Sequence, residues 1–120
     1  MSGYYLGIDQ GTTLTTAVLV DERWCTVAKA SKPHKQQYLN PGWVEHDPIE
    51  IYENCIAVAA EVLQKVPGAT AQSLIAVGLD HQGETCMIWD KNTGIPIYNA
   101  IVWQDRRTSD AADQLKKNRG

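Results

Sequence analysis

Between Asp47 and Pro67 the apolar residues Ile51, Tyr52, Cys55, Ile56, Ala59, Val62, Leu63 and Val66 recur at threes and fours. That period predicts one amphipathic helix with a single stripe to bury. Its start is marked three times over: Asp47 stands at the cap, Pro48 at the first helical position, and Glu50 three residues after the cap, which makes a capping box. Pro67-Gly68 ends it. A lone amphipathic helix needs a surface to pack on, and the segments around it are β-prone, so the fold must set a helix against a sheet.

Tyr4 to Ile8 and Leu14 to Val20 flank a glycine turn, and Asp21-Glu22-Arg23 separates the second from Cys25 to Ala30, which predicts an antiparallel meander. The run "LIAVGL", Leu74 to Leu79, has the continuous apolarity expected of a strand covered on both faces. Thr85 to Trp89 and Ala100 to Trp103 are expected as further strands around the turn-rich "DKNTG". Thr108 or Ser109 would cap a last helix that the chain abandons at "KKNRG", the pattern expected of a truncated chain. Lys32 to His46, polar and carrying Pro33, Pro41 and Gly42, reads as one long loop, functional or mobile. The elements add up to a mixed α/β sheet with helices against it, neither a β-sandwich nor a helical bundle. A length of 120 residues supports one ordinary core and is too short for a two-domain enzyme.

The formal charge of -3, with both signs scattered, offers no footprint for nucleic acid or an anionic membrane. A small neutral or anionic metabolite is the expected partner. Cys25, Cys55 and Cys86 form neither a CxxC pair nor a Cys/His metal spacing, so reduced and mostly buried thiols are expected. "MSGYYLGID" lacks the basic stretch and apolar core of a signal peptide, and no apolar run reaches the roughly 20 residues that span a bilayer. A cytoplasmic protein is the expectation.

Three stretches can carry chemistry. In "GIDQGTT" the turn through Gly11, Thr12 and Thr13 can bend close to a ligand and aim amide and hydroxyl groups at an anion. Asp9 would repel a bare phosphate, so the pair makes sense where Mg²⁺ mediates between carboxylate and phosphate. Taken alone, the stretch reads more readily as a plain hairpin turn. Neither a GxxxxGK[ST] loop nor a GxGxxG after a strand occurs. In "DHQGET", where the apolar run ends, Gln82 and Glu84 are candidates to hold hydroxyl groups, Glu84 as a pure acceptor; His81 reads as structural or solvated. In "IVWQDRRT" the face of Trp103 suits the C–H surface of a sugar or polyol, with a core tryptophan beside solvated charges as the equal alternative. Arg106-Arg107 serves phosphate binding or surface ion pairs, and Trp43 faces substrate or, more readily, belongs to the helix entry.

In this order and over nearly the whole chain, "GIDQGTT", "PGWVEHDP" and "ETCMIWDKNTGIPIYNAIVWQDRRT" resemble the N-terminal part of the FGGY family of carbohydrate kinases, most of all its glycerol-kinase branch. The resemblance implies a ribonuclease-H-like, actin-like ATPase domain, incomplete here: residues 1–120 would be the N-terminal part of the first, substrate-side domain, with the nucleotide-side domain beyond them. It implies ATP-dependent phosphorylation of a polyol or sugar hydroxyl, with ATP and Mg²⁺ as cofactors. Carried over by position, Asp9 serves the metal through water, Gly11, Thr12 and Thr13 the nucleotide phosphates, and Gln82, Gly83, Glu84 and Trp103 the acceptor. The aspartate general base is expected beyond residue 120. An assembly of identical subunits is admitted but not specified. Glycerol kinases typically read Asp-Gln-Gly-Thr-Thr-Ser-Ser-Arg and Asn-Gln-Arg-Glu-Thr; this chain has Leu14-Thr15-Thr16 and places Gly83 between Gln82 and Glu84, so two arginines are missing. The resemblance implies glycerol or a related carbohydrate as the acceptor; the two losses lead to the expectation of an acceptor larger than glycerol or differently shaped, with an FGGY kinase for xylulose, ribulose, gluconate or erythritol as the alternative. The rival reading is a non-catalytic actin-like nucleotide-binding module.

Overall fold

In the computed structural model, which describes residues 3–119, strand β1 (Tyr4–Gln10) lies inside a four-stranded sheet whose order is β3 (Thr26–Pro33), β2 (Leu14–Asp21), β1 and β5 (Leu74–His81). Its antiparallel neighbour β2 runs on into β3, which gives the expected meander. The β2–β3 turn is tied by Asp21, whose Oδ1 accepts the N–H groups of Arg23 and Cys25. On the other side of β1 lies β5, parallel to it, so the sheet is mixed.

Helix α1 (Pro48–Gln64) begins with proline at its first position, as its sequence requires. It packs on the sheet through a core of Leu6, Ala17, Leu19, Ala28, Ala30, Val58 and Val62. Alternation sets which sheet residues take part: Leu6 on β1, Ala17 and Leu19 on β2, Ala28 and Ala30 on β3 all face the helix. The helical stripe is narrower than its apolar pattern suggested. Ile51, Asn54, Val58 and Val62 are buried, whereas Tyr52 and Ile56 point outward, 65% and 56% exposed. Asn54 enters the stripe because its amide Nδ2 donates to the carbonyl of Pro33, the last residue of β3, satisfying a backbone group the helix covers. Nearby, Glu50 Oε1 accepts the N–H of Lys35.

Other expectations need correction. The apolar run of β5 is not covered on both faces: Ile75, Val77 and Leu79 are 53%, 57% and 66% exposed, because α1 packs over β1, β2 and β3, and of β5 only Leu74 touches that core. The stretch 85–89 makes only isolated bridges, Cys86 with Ile101 and Trp89 with Pro96, and the next strand shrinks to β6 (Ala100–Ile101). The segment read as one loop over 32–46 gives its first two residues to β3 and its last two to β4 (Glu45–His46), which pairs antiparallel with β6. Two of the three thiols, Cys25 and Cys86, are exposed and only Cys55 is partly covered; all three are free. The last helix, α2 (Ser109–Lys117), starts where Thr108 was expected to cap it, but the Thr108 side chain makes no capping hydrogen bond.

The chain divides into two compact units, one drawn from residues 3–35 and Ile49–Gln82, the other from Gln36–Pro48 and residues 83–119. The first holds the four-stranded sheet and α1; the second holds the β4–β6 pair, whose small core is Val44, Ala100 and Val102. No helix among the described residues is long and apolar enough to cross a membrane.

The two helical positions separate experimentally. Val62→Ala in the intact protein is expected to cost about 2 kcal/mol of unfolding free energy, whereas Ile56→Ala should change it by less than about 0.5 kcal/mol. Chemical denaturation of both variants against the parent checks this.

Candidate functional site

The first hairpin closes tightly. Gly11 donates its N–H to Leu14 O at 2.9 Å, and a side chain at Gly11 would bring its Cβ to 3.0 Å from that same oxygen, so glycine is demanded by close backbone approach. The Gly11 amide is therefore committed within the turn, leaving Thr12 and Thr13 as the candidates to meet an anion. Thr13 is exposed, and its carbonyl accepts His34 N–H at 3.3 Å, which fastens the turn to the segment after β3. Gln10, buried at the end of β1, donates Nε2 to Gly11 O at 2.8 Å.

Asp9 lies on the opposite face of β1 from the helix and is exposed. Its register partners are Thr16 on β2 and Asp80 on β5, and a shallow depression on this face is lined by Gly7, Asp9, Thr16, Lys29, Gly78 and Asp80. Among the described residues no three His, Cys, Asp or Glu side chains gather as a metal cage. The parallel pairing of β1 with β5 brings Gln82 to the hairpin: its N–H donates to Gln10 O at 2.8 Å, and its Nε2 lies 3.4 Å from Gln10 Oε1 and 3.5 Å from Gly11 O. Gln82, read from sequence with the acceptor group, is thus bonded to the hairpin at Gln10 and Gly11. Asp9, Gly11, Thr12, Thr13 and Gln82 belong to the first unit, and Gly83, Glu84 and Trp103 to the second.

Glu84 has a left-handed backbone, φ +61°, a conformation that costs a non-glycine residue and collects at functional positions. Two residues on, Cys86 exchanges both backbone hydrogen bonds with Ile101, at 3.0 and 2.9 Å. Thr85 Oγ1 then accepts the N–H of Trp103 at 3.2 Å, so Glu84 and Trp103 leave this ladder at the same end. The Trp103 side chain is half exposed. A Cβ on Gly83 would meet no atom of the described residues within 4 Å. His81 keeps to local bonds, its Nδ1 to Gln82 O and its N–H to Asp80 Oδ1.

Sequence reasoning missed the group behind Trp103. Glu45, fully buried on β4, accepts from Tyr98 Oη at 2.8 Å, Asn99 Nδ2 at 3.0 Å and Arg107 Nη2 at 2.7 Å. Burial pushes the Glu45 carboxyl up, but the bonds from Asn99, Arg107 and Tyr98 outweigh it and hold the group below its usual range. Arg107 also grips Asp105, Nε to Oδ1 at 2.9 Å and Nη2 to Oδ2 at 2.7 Å; this fork holds the Asp105 carboxyl down to about 2 against burial, helped by the N–H groups of Arg107 and Val44. The guanidinium lies over Trp43, 3.8 Å from the ring centroid. Trp43 is hence a platform for Arg107, and Arg107 a partly buried ion-pair partner rather than a surface charge; Arg106 stays exposed. Nothing local marks Glu45 as buried, since its arginine stands 62 residues away.

Residues 4–120 match the model of the N-terminal domain of the FGGY family of carbohydrate kinases. Over 114 residues, 95% of the chain, the sequence is 48% identical to glycerol kinase 2 of Thermotoga maritima, of which that stretch is 23%. Among solved structures it is similar to the Plasmodium falciparum glycerol kinase with ADP, with TM-score 0.86 and 38% identity over 95% of this chain and 23% of that one. It is also similar to the gluconate kinase of Lactobacillus acidophilus, with TM-score 0.86 and 28% identity over 100% of this chain and 23% of the other. The chain therefore spans about a quarter of the length of these relatives.

The Asp105 carboxylate is favoured by the fold, so its stabilising contribution is complete above its ordinary value of 3.8 and is lost as pH falls through about 2. Glu45 acts with the same sign from 4.5 downward. Thermal midpoints of the intact protein are expected to fall steeply across that acidic window. Asp105→Asn, less stable at neutral pH, should show a flatter profile there.

Proposed function

Because the chain belongs to the FGGY family of carbohydrate kinases, we propose that it carries the acceptor side and the phosphate-facing turn of an enzyme that phosphorylates a polyol or sugar hydroxyl with ATP. On this reading residues 1–120 are the N-terminal part of the substrate-side domain. The reaction joins the acceptor oxygen to the γ-phosphorus, breaks the bond from that phosphorus to ADP, and releases the hydroxyl proton to a base. We assign that base to an aspartate outside these residues; Asp105 does not fit the role, because it is locked to Arg107. The observation that carries the reading is the ladder end in the second unit, where a strained acidic residue, Glu84, leaves beside the half-exposed indole of Trp103.

Roles follow from chemistry. Glu84 accepts hydrogen bonds from acceptor hydroxyls, and Trp103 covers the C–H face of the carbon chain. Gly11 lets the hairpin approach the phosphates, and the Thr12 and Thr13 hydroxyls and backbone address them. Gln82, bonded to Gln10, ties this turn to the end of β5. Asp9 fits Mg²⁺ through water: it is an exposed carboxylate at a strand end, and an ion that arrives on a nucleotide needs one or two carboxylates rather than a full protein cage. When bound, the ion neutralises charge on the phosphate oxygens. The exposed free thiols Cys25 and Cys86 suit a reducing cytoplasm.

The lack of a side chain at Gly83 supports an acceptor larger than glycerol or differently shaped, since the arginine usual in glycerol kinases would take up room there and donate to a small triol. Phosphorylation by the intact protein of glycerol, erythritol, xylulose, ribulose and gluconate, each with Mg-ATP, tests the reading. Turnover of at least one is expected, and none at all would defeat it. A strong preference for glycerol would remove the size argument alone. Gly83→Arg is expected to shift the kcat/KM ratio toward glycerol by about tenfold or more. Asp9→Asn should lower kcat/KM for ATP roughly a hundredfold while leaving the thermal midpoint close to the parent's.

A further inference from the structure

Trp103 occupies a tight turn, Val102 to Asp105, closed by the Asp105 N–H on Val102 O at 2.8 Å. The Trp103 side chain is half exposed, and the backbone beneath it sets the direction in which it leaves the turn. Both ends of the turn are fixed to one residue, Val44: Val102 donates its N–H to Val44 O at 3.0 Å, and Val44 donates its own N–H to Asp105 Oδ2 at 2.7 Å. The Asp105 carboxylate is therefore a hinge pin, and it is held by Arg107, through Nε, Nη2 and the backbone N–H at 2.8 Å. Arg107 is itself fixed from two further sides, by Glu45 on β4 and by the face of Trp43.

A buried ion cluster is weak evidence for a stabilising role, because apolar replacements of the same volume often serve stability as well or better. What apolar packing cannot supply is direction. The planar fork of Arg107 fixes the carboxylate plane, which fixes the Val44 contact, which fixes the turn. We propose that Arg107, with Asp105 and Glu45, acts as a positioning group for the acceptor: it sets the angle of the Val102–Asp105 turn and hence the aim of Trp103. Thr85, whose hydroxyl receives the Trp103 N–H, holds the same turn from the other side. This inference rests on the functional reading above, in which Trp103 covers the acceptor.

A small misplacement of a positioning side chain costs large factors in rate, so the effect should be specific to one substrate. In the intact protein, Arg107→Lys keeps a positive charge but loses the fork, and Thr85→Val keeps shape but loses the acceptor oxygen. For both, the KM for the polyol or sugar is expected to rise about tenfold or more, with the KM for ATP within about twofold of the parent. Arg107→Met should do the same if it folds; Thr85→Val, nearly isosteric, keeps the test open if it does not. Unchanged acceptor KM in folded Arg107→Lys and Thr85→Val, with normal turnover in the parent, would overturn this inference alone. So would a parallel rise in both KM values with a lowered thermal midpoint, the mark of general loosening. A parent that phosphorylates no polyol or sugar would overturn the functional reading and this inference with it.

Discussion

Pairing of β1 on both sides governs the first unit. One strand, matched antiparallel to β2 and parallel to β5, delivers two different things to the same end of the sheet: the hairpin beginning at Gly11 and the chain leaving β5 at Gln82. Because side chains alternate along a strand, the same register that sends Leu6 into the core puts Asp9 on the open face. A slip of one residue would exchange them. The Gln82 backbone bond to Gln10 is the final rung of this arrangement, and it lets a turn of a few residues be held by groups distant in sequence.

The second unit solves a similar problem with charge. Its strands are two residues long, too short to fix anything through a ladder, and its apolar core is small. Glu45, Asp105 and Arg107 supply the missing constraint, with Tyr98, Asn99 and Trp43 completing the shell around them. Each buried charge has a partner and directional bonds, the condition under which such a group is tolerable in an interior.

How much of this was legible depends on which signals are local. The meander, the helix with its proline start, and the existence of β5 all rest on composition and periodicity within one segment, and the structure contains each of them. Expectation and structure part where burial depends on a neighbour that the pattern does not name. Tyr52 and Ile56 fit the helical period yet lie outside the narrow stripe that the small residues Ala17, Ala28 and Ala30 receive. The run Leu74 to Leu79 has the apolarity of a covered strand, while its exposure is set by the reach of α1. Asn54 and Glu45 are buried because of partners 21 and 62 residues distant, a relation no window can hold. At the site, residue types pointed to the kind of chemistry, the motif order supplied the family, and only coordinates could move Gln82 to the hairpin and reveal what stands behind Trp103.

The left-handed backbone of Glu84 carries one more consequence. Glycine would occupy that torsion freely, and a side chain there costs on the order of 1–3 kcal/mol. Since Gly83 directly precedes it, the unconstrained residue and the constrained one stand side by side, with the carboxylate kept at the harder position. Replacement of this acid by glycine would relieve that cost, so Glu84 is a position where the fold gives up stability that a sequence change could recover.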